Sequence, residues 1–315
     1  MTDYIIISQQ NPPTADISEF CQPGFFFNES EHLRQQKGMF HLLTALNQRT
    51  GRSEARCAFF VGTEGAISPK AAPFGSVEFA ENLPDTVLDE LLQSLQETAR
   101  FAGASTLRLV NYPHCYAPKQ AERLTDTLVK QGFRVLKKDQ NFFLSISENS
   151  FEENIDGSER RRLRKCREAG FQFAHWATPN IDKVVTFLQH IWLQKGYRPS
   201  LSPERLTCLL TDFSNQFDVF TVKDGAKLAA LTVAVRVRQD ILYNFMPASD
   251  PDYQSFSPMV MLIDGLFTYC QQQDIQLLDL GVSLDADRRP KPSLIRFKQN
   301  LGAQSSPKLI FEKTL

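Results

Sequence analysis

The same order of predicted elements occurs twice in this sequence, and this repeat constrains the fold more than any single motif does. Residues 84–147 and residues 257–313 each predict a helix, a strand, a loop, a helix that ends at a glycine, and a final strand or hairpin. The matching positions are Leu107 with Leu277 and Gly132 with Gly302. The repeat predicts an α/β chain of two similar domains. Coincidence stays open, because helices and strands alternate in many unrelated chains.

The length and composition of the chain agree with two globular domains. The chain has 315 residues, of which 42% are hydrophobic and 23% charged. Dividing it between the copies predicts an N-terminal domain over residues 1–150 and a C-terminal domain over residues 151–315. No run approaches the ~18 apolar residues of a membrane span. We therefore expect no stable membrane insertion and a cytoplasmic location, while the oligomeric state has no signal in the sequence.

A predicted antiparallel meander precedes the second copy. Residues 217–247 contain three strand-like runs, which are separated by Asp224-Gly225, a strong hairpin signal, and by Gln239-Asp240, a weaker one. The following helix has Ser257 as its predicted N-cap, with a proline at the first helical position. In the first copy, residues 133–147 predict a hairpin with a polar turn.

Positive charge is concentrated in one run, although the formal net charge is only −1. Six of the eight residues from 160 to 167 are basic, within GSERRRLRKCREAG, and a helix is predicted from Glu159 to Ala169. Helical spacing puts Arg161, Arg164 and Lys165 on one face, where they could bind phosphate. The alternative is a solvated face that pairs with nearby glutamates. A nucleic-acid-binding module is a third interpretation, but the run lacks interleaved aromatic residues.

These elements, in this order, resemble the GNAT acyltransferase fold. Tandem GNAT-like domains, with an R-x-x-R-K-x-x-x-x-G segment opening the second, are similar to the FemABX-type peptidyltransferases and their acetyltransferase relatives. That segment here lies within RRLRKCREAG, and the sequences FSPMVML and FKQNLG are similar to the S-P-x-x-L-L helix and the F-K-x-x-x-G segment of the family. The resemblance runs from about Phe25 onward. It implies two GNAT-like domains related by a pseudo-twofold duplication.

The resemblance also implies where an acyl donor binds. The donor would lie between two splayed strands of the second domain, with its phosphates at the N-terminus of the next helix. The candidate donor-binding residues are Gln254, Ser257, Met259, Val260 and Met261. The usual CoA signature, Q/R-x-x-G-x-G/A, is only partly present, because serine and methionine replace its glycines. Acetyl-CoA or another acyl-CoA is therefore one donor, and aminoacyl-tRNA, which Fem-type proteins use, is the alternative. An ordinary Ser-Pro helix start is the structural interpretation.

Three residues are candidates for catalysis. The resemblance nominates Lys298, whose cation would stabilise negative charge that develops on the donor carbonyl. Tyr243 and Asp279 are secondary candidates for proton transfer. The structural interpretation gives a surface lysine, a half-buried tyrosine and a strand-end aspartate.

The resemblance assigns the basic run to an acceptor. Arg161, Arg164 and Lys165, with Lys37 from the N-terminal domain, would hold the diphosphate of a nucleotide- or lipid-linked acceptor. The tryptophan that precedes this lysine in the family is missing here.

The leading functional hypothesis is an acyltransferase that moves an acyl or aminoacyl group to an amine, such as one on a cell-wall precursor, with tRNA as a possible donor partner. The alternatives are a CoA-dependent N-acetyltransferase of a small polar metabolite and a catalytically inactive GNAT-derived binding protein. Six cysteines and five histidines show no metal-ligand spacing, so we expect no metal.

Overall fold

A computed structural model describes residues 3–196 and 201–315. The chain forms two compact units. Unit 1 contains Met1–Asp139 together with Ser306–Leu315, and unit 2 contains Gln140–Ser305. The end of the chain therefore belongs to the same unit as its beginning.

Both units are mixed α/β structures, which confirms the predicted fold class. The strands of the described residues are β1 Tyr4–Gln10, β2 Phe40–Asn47, β3 Arg52–Gly62, β4 Gly65–Ser68, β5 Glu78–Phe79, β6 Thr106–Val110, β7 Arg134–Ser145, β8 Gln172–His175, β9 Phe217–Asp224, β10 Lys227–Arg238, β11 Ile241–Ser249, β12 Leu277–Val282 and β13 Gln304–Thr314. The α-helices are α1 Ser30–Gln35, α2 Asp85–Phe101, α3 Pro118–Lys130, α4 Phe151–Asn154, α5 Gly157–Glu168, α6 Ile181–Gln194, α7 Pro203–Asp212, α8 Pro258–Gln272 and α9 Pro292–Asn300.

Unit 1 has the strand order β1-β2-β3-β4-β6-β13, with β5 beside β3. All neighbours are antiparallel except β4 and β6. The apolar faces of α2 and α3 bury Leu88, Leu92 and Leu124 against the sheet. Leu309 and Phe311 of β13 belong to the same core, so the C-terminal strand is an integral part of unit 1.

Unit 2 has the strand order β7-β12-β11-β10-β9-β8, beginning with the second half of β7. The predicted meander is confirmed, because β9, β10 and β11 pair antiparallel and two-residue connections join them. Helices α5 and α8 pack in the core of this unit, where Leu163, Leu262 and Leu266 are fully buried. Phe173 of β8 lies against Gly265, where an added Cβ would approach the ring to 2.2 Å.

Strands β11 and β12 separate after a short parallel pairing. Their register joins Ile241 with Leu277, Leu242 with Leu278 and Tyr243 with Asp279, and then ends. β11 nevertheless continues to Ser249 and β12 to Val282. At this point β12 contains a bulge opposite β7, with Gly281 at a φ of 71°. Unit 2 therefore contains a split between adjacent strands, the feature that a GNAT-like fold implies.

One local prediction was wrong, and a second was confirmed in position but not in its side-chain hydrogen bond. The predicted hairpin at residues 133–147 is a single strand of 12 residues, β7. Its polar centre contains no glycine or proline to turn the chain, and Lys137 pairs with Asp139 across 2.8 Å along the strand. Ser257 does occupy the N-cap position of α8, but its side chain makes no cap hydrogen bond and its backbone is left-handed, with a φ of 58°.

Among the described residues, no helix combines the length and the apolar character needed to cross a bilayer.

Candidate functional site

A pocket of about 660 Å³ opens in unit 2 where β11 and β12 separate. Its walls come from most of β11, the end of β12, the C-terminal part of α6, the first turns of α8 and the length of α9. The lining is mainly apolar and aromatic, and it includes Trp192, Phe245 and Phe297. This combination of a largely apolar cavity with a few polar groups is typical of ligand sites.

The charged side chains around the pocket are all of one sign. Lys195, Lys291 and Lys298 line it, and none of the described lining residues is an aspartate or a glutamate. Because the charged side chains of the described lining are all positive, the pocket favours an anionic ligand.

Lys298 is buried by α9, with 6% of its surface exposed. Its Nζ donates to the backbone oxygens of Gly281 at 2.8 Å and Val282 at 2.9 Å. Burial lowers the pKa of Lys298 from 10.5 to about 7, although the nearby charge of Asp279 acts in the opposite direction. A lysine that changes its charge near neutral pH inside a pocket is a candidate for proton transfer or for charge stabilisation.

Tyr243 also lines the pocket, and it is the last residue of β11 that pairs with β12. Its ring lies over Gly281, where an added Cβ would be 3.1 Å from Cε2 and 3.3 Å from the hydroxyl oxygen. Burial and the negative charge of Asp279 both raise the pKa of Tyr243 above its ordinary value. The phenol is therefore protonated at neutral pH and can donate or accept a hydrogen bond there.

Asp279 is buried below the opening, with 2% of its surface exposed. Its Oδ1 accepts hydrogen bonds from Asn141 Nδ2 and from the Gly281 amide, both at 2.7 Å. These contacts hold the bulge in β12 and place a negative charge near Lys298. The structure thus gives Asp279 a positioning geometry.

The predicted donor-binding residues separate into two groups. Ser257 and Met259 line the pocket, whereas Val260 and Met261 pack into the core of unit 2. Gln254 is exposed in the turn before α8. The left-handed backbone of Ser257 is a conformation that glycine adopts readily, so the chain keeps the backbone geometry of a glycine at one signature position without the glycine itself.

The start of α8 does not offer the phosphate cradle of the CoA signature. The first residue of the helix is Pro258, which has no N–H to donate. The next residue, Met259, presents a side chain to the pocket at the position where the signature has its second glycine. Any phosphate in this pocket therefore depends more on the lysines than on the α8 N-terminus.

The basic run is the exposed face of α5. Lys165 donates to the Ser255 carbonyl oxygen at 2.9 Å, and its Nζ lies 4.4 Å from the centre of the Phe256 ring. Arg161 and Arg164 are exposed and have no hydrogen bond or ion pair within the described part of the chain.

The other arginines of the run are engaged within unit 2. Arg160 donates to two backbone oxygens, Arg162 pairs with Glu159, and Arg167 pairs with Glu152 and Asp264. Of the predicted glutamate partners, Glu159 and Glu152 therefore do pair with the run. Four of its six cations, with Lys165 included, are therefore engaged, which leaves Arg161 and Arg164 available.

Lys37 belongs to unit 1, unlike the other three predicted acceptor-binding residues. It follows α1 with a left-handed backbone, a φ of 55°, and its side chain is exposed. Its carbonyl oxygen accepts a hydrogen bond from Lys70 Nζ at 2.6 Å.

Sequence reasoning missed three lining residues, namely Trp192, Lys195 and Lys291. Trp192 lies on the apolar face of α6, which the sequence indicated only as a core face. Lys195 follows Ile191 by one helical turn, and Lys291 is the N-cap of α9. No motif distinguishes these lysines from surface lysines, because only the fold brings them to one pocket.

No group of metal-ligating side chains occurs in the described ranges.

Comparisons with known proteins agree with this geometry. Residues 157–291 match the family described as "Acetyltransferase (GNAT) domain". No curated protein matches the chain in sequence. The match begins at the basic helix α5 and ends at Lys291, so Lys298 lies beyond it.

Several solved structures are similar to this chain. FemX has a TM-score of 0.71 at 12% identity, covering 93% of each chain. L-PGS from Bacillus licheniformis has a TM-score of 0.54 at 14% identity, covering 83% of this chain and 82% of that one. A tandem GNAT protein from the clavulanic acid biosynthesis pathway has a TM-score of 0.52 at 11% identity, covering 87% and 82%.

At these identities the likeness concerns the fold. It confirms the predicted GNAT-like architecture and its resemblance to FemABX-type proteins. Residues 157–291 therefore match a GNAT acetyltransferase domain, in a chain whose fold is similar to that of FemX.

Proposed function

We propose that unit 2 transfers an acyl or aminoacyl group from an activated donor to an amine. The observation that carries this proposal is the open split between β11 and β12, with Lys298 buried in its wall and a lysine-lined pocket around it. A GNAT-type domain supplies the reaction class, which is acyl transfer to nitrogen. We infer the donor and the acceptor from the chemistry of the pocket.

Lys298 is suited to stabilise the oxyanion. The neutral acceptor amine attacks the donor carbonyl, a C–N bond forms and the carbonyl oxygen becomes negatively charged. A protonated lysine has three N–H donors, and the carbonyls of Gly281 and Val282 take two of them. The third can be donated to the oxyanion. When the intermediate collapses, the bond to the leaving group breaks, and the leaving oxygen or sulfur takes up the proton that the attacking nitrogen loses.

Tyr243 and Asp279 complete the site in supporting roles. The Tyr243 hydroxyl borders the pocket and stays protonated, so it is suited to donate to the leaving group while taking a proton from the amine side. Asp279 holds the Gly281 amide and offsets the charge of Lys298. The donor itself would contact Ser257 and Met259, with Gln254, Val260 and Met261 supporting the loop and helix that carry them.

The acceptor is best explained as an amine on a phosphate-bearing precursor, linked to a nucleotide or a lipid. The guanidinium groups of Arg161 and Arg164 on α5 make no hydrogen bond or ion pair within the described residues, so they can bind phosphate. Lys165 lies beside the loop that leads to α8. Lys37 remains a further candidate for this role. Lysylphosphatidylglycerol synthetase, whose fold is similar, is named for an aminoacylated lipid, and this supports an aminoacyl donor over a simple acetyl group.

A donor screen tests the proposal directly. The full chain would be incubated with acetyl-CoA, longer acyl-CoAs or aminoacyl-tRNA, and with a UDP-linked muropeptide or small polyamines, and products would be followed by mass spectrometry. Formation of a new amide from any of these pairs supports the proposal. Binding of donor and acceptor with no amide formed, at any pH between 6 and 9, would mean a binding protein instead.

The role of Lys298 is tested by Lys298→Leu. We expect kcat to fall by about 10²–10³ with a small change in the donor KM, because the lost contact forms in the transition state. In the unchanged chain, kcat should decline as the pH rises through about 7, where Lys298 loses its proton. Arg296→Leu, on the exposed side of the same helix, is the matched control. If kcat and donor affinity fall equally, Lys298 does not act specifically in the transition state.

A further inference from the structure

We propose that Lys195, Lys291 and Trp192 form a subsite for the terminal adenosine 5′-phosphate of the acyl donor. This inference rests on the proposed function, because it names the part of the donor that unit 2 holds. Adenosine with a 5′-phosphate is the chemistry shared by the two candidate donors, since it occurs in CoA and at the 3′ end of tRNA. The subsite is separate from the α8 N-terminus, where the CoA signature would place the phosphates.

The two lysines reach the pocket from different elements, the end of α6 and the start of α9. Lys195 extends from the C-terminal turn of α6, and its Nζ donates to the Ser249 carbonyl oxygen at 2.9 Å, which fixes the ammonium at the far end of β11. Lys291 is the N-cap of α9, where its backbone N–H donates to the Ser283 carbonyl oxygen at 2.9 Å. Both side chains line the same pocket.

The positive charges of Lys195 and Lys291 also act on each other. Burial and the positive charge of Lys291 lower the pKa of Lys195, and only the nearby Asp250 acts against them. Two lysines that repel each other at the wall of a pocket are stabilised when an anion binds between them. With Pro258 at the start of α8 lacking an N–H, these side chains supply the cationic donors that the helix terminus does not.

The ring of Trp192 gives the same pocket an aromatic surface. Trp192 lies one helical turn before Lys195, is half-buried and lines the pocket. An indole ring in the same pocket as two ammonium groups provides a stacking surface for a base, and the ammonium groups provide cationic contacts for its phosphate. An acyl group alone would need neither.

Binding of nucleotides to the full chain tests the subsite by calorimetry. We expect AMP to bind at least about tenfold more tightly than adenosine, and its affinity to fall with salt. Lys195→Gln and Lys291→Gln should each weaken AMP binding by about tenfold while leaving adenosine unchanged. Trp192→Leu should weaken both ligands. The matched controls are Lys183→Gln, on the exposed part of α6, and Lys227→Gln, at the start of β10.

The donor source is resolved by competition. Displacement of AMP by CoA identifies a CoA ester, and displacement by the trinucleotide CCA identifies a tRNA end. Either result supports the subsite if the double variant Lys195→Gln/Lys291→Gln loses it. The subsite is refuted if AMP does not bind at millimolar concentration, if adenosine binds as tightly as AMP, or if the double variant binds AMP normally with unchanged circular dichroism.

Two outcomes separate this inference from the proposed function. If the double variant transfers acyl groups with an unchanged donor KM, the transferase assignment stands and the subsite is wrong. If the variants lose AMP binding but no donor and acceptor pair yields an amide, the subsite stands and the transferase assignment is wrong.

Discussion

The two units contain the same split between parallel strands, but only unit 2 leaves it open. In unit 1, β4 and β6 pair at Ala66–Leu107, Ile67–Arg108 and Ser68–Leu109, and the pairing ends where β4 ends at Ser68, while β6 continues to Val110. In unit 2, β11 and β12 part after three equivalent pairs. The repeated architecture therefore extends to the length of the parallel pairing.

In unit 1 the chain itself fills the space beyond the last pair. The Gly75 amide donates to the Val110 carbonyl oxygen at 3.0 Å, and the Ser76 amide donates to Ser68 Oγ at 2.8 Å. Phe74, with 1% of its surface exposed, packs its ring edge-on against Phe25, Phe27, Tyr112 and Tyr116. This segment, residues 74–76, closes the split of unit 1.

The helix after each split shows a second difference. Helices α3 and α9 end alike, because Gly132 and Gly302 both have positive φ and the amides of Phe133 and Ala303 donate to the carbonyl oxygens of Leu128 and Lys298. The residue four positions before the glycine is thus a buried leucine in unit 1 and a buried lysine in unit 2. One framework supports either a closed core or an open pocket, depending on a loop and a few side chains.

Opening the closed split should have the largest effect on stability. We expect Phe74→Ala to lower the free energy of unfolding by about 3–5 kcal/mol, because it leaves a cavity among buried rings. Phe245→Ala is the counterpart in unit 2, where the ring lines an open pocket, and it should cost about 1 kcal/mol. Urea unfolding measures both free energies. Equal losses for the two variants would mean that the split of unit 1 is not filled more tightly than that of unit 2.

Making α9 resemble α3 should remove a pH dependence. The pKa of Lys298 is lowered to about 7, so between pH 7 and 10.5 the unfolded chain holds a proton that the folded chain lacks. The stability of the unchanged protein should therefore rise with pH across this window, relative to Lys298→Leu, by on the order of 3 kcal/mol. Urea unfolding at pH 7 and pH 10 tests this, with Arg296→Leu as the control. If the free energy of unfolding changes with pH in the same way for Lys298→Leu and for the unchanged protein, the pKa of Lys298 is not lowered by burial.

The smallest effect concerns the bulge that opens the split. Gly281→Ala places a Cβ 3.1 Å from the Tyr243 ring at a φ of 71°, and we expect a loss of about 1–3 kcal/mol. Gly225→Ala, at a φ of 57° with no atom within 4 Å of the added Cβ, reports the backbone strain alone. The difference between the two variants, measured by urea unfolding, isolates the contact with Tyr243. If they lose equal stability, the ring does not constrain Gly281.

Local signals in the sequence identified most of the framework. Helix caps, apolar periodicity and the Asp224-Gly225 turn located the meander and the helices of both copies, because each depends on neighbouring residues alone. The hairpin prediction at residues 133–147 failed for the same reason. Charged residues in the middle of a run suggest a turn locally, whereas pairing partners distant in sequence keep β7 extended.

The candidate site was only partly predictable. Lys298 was nominated through a motif, but its burial and its contacts with Gly281 and Val282 depend on how β12 bulges, which no local pattern encodes. The sequence predicts Val260 and Met261 as donor-binding residues, yet both pack into the core of unit 2. The lysines at positions 195 and 291 carry no motif, since they come together only through tertiary structure.

Completion of unit 1 requires β13, a strand that is synthesised after unit 2. Ile310–Thr314 pair with β6, and Glu312 pairs with Arg108 across 2.7 Å. While the ribosome is still making unit 2, one side of β6 has no partner, and an unpaired strand side is prone to associate with other chains. Such a long sequence separation also slows closure of the sheet. Until residues 310–314 are synthesised, the unpaired side of β6 stays exposed unless a chaperone covers it. The other strands of unit 1 are made about 170 residues earlier.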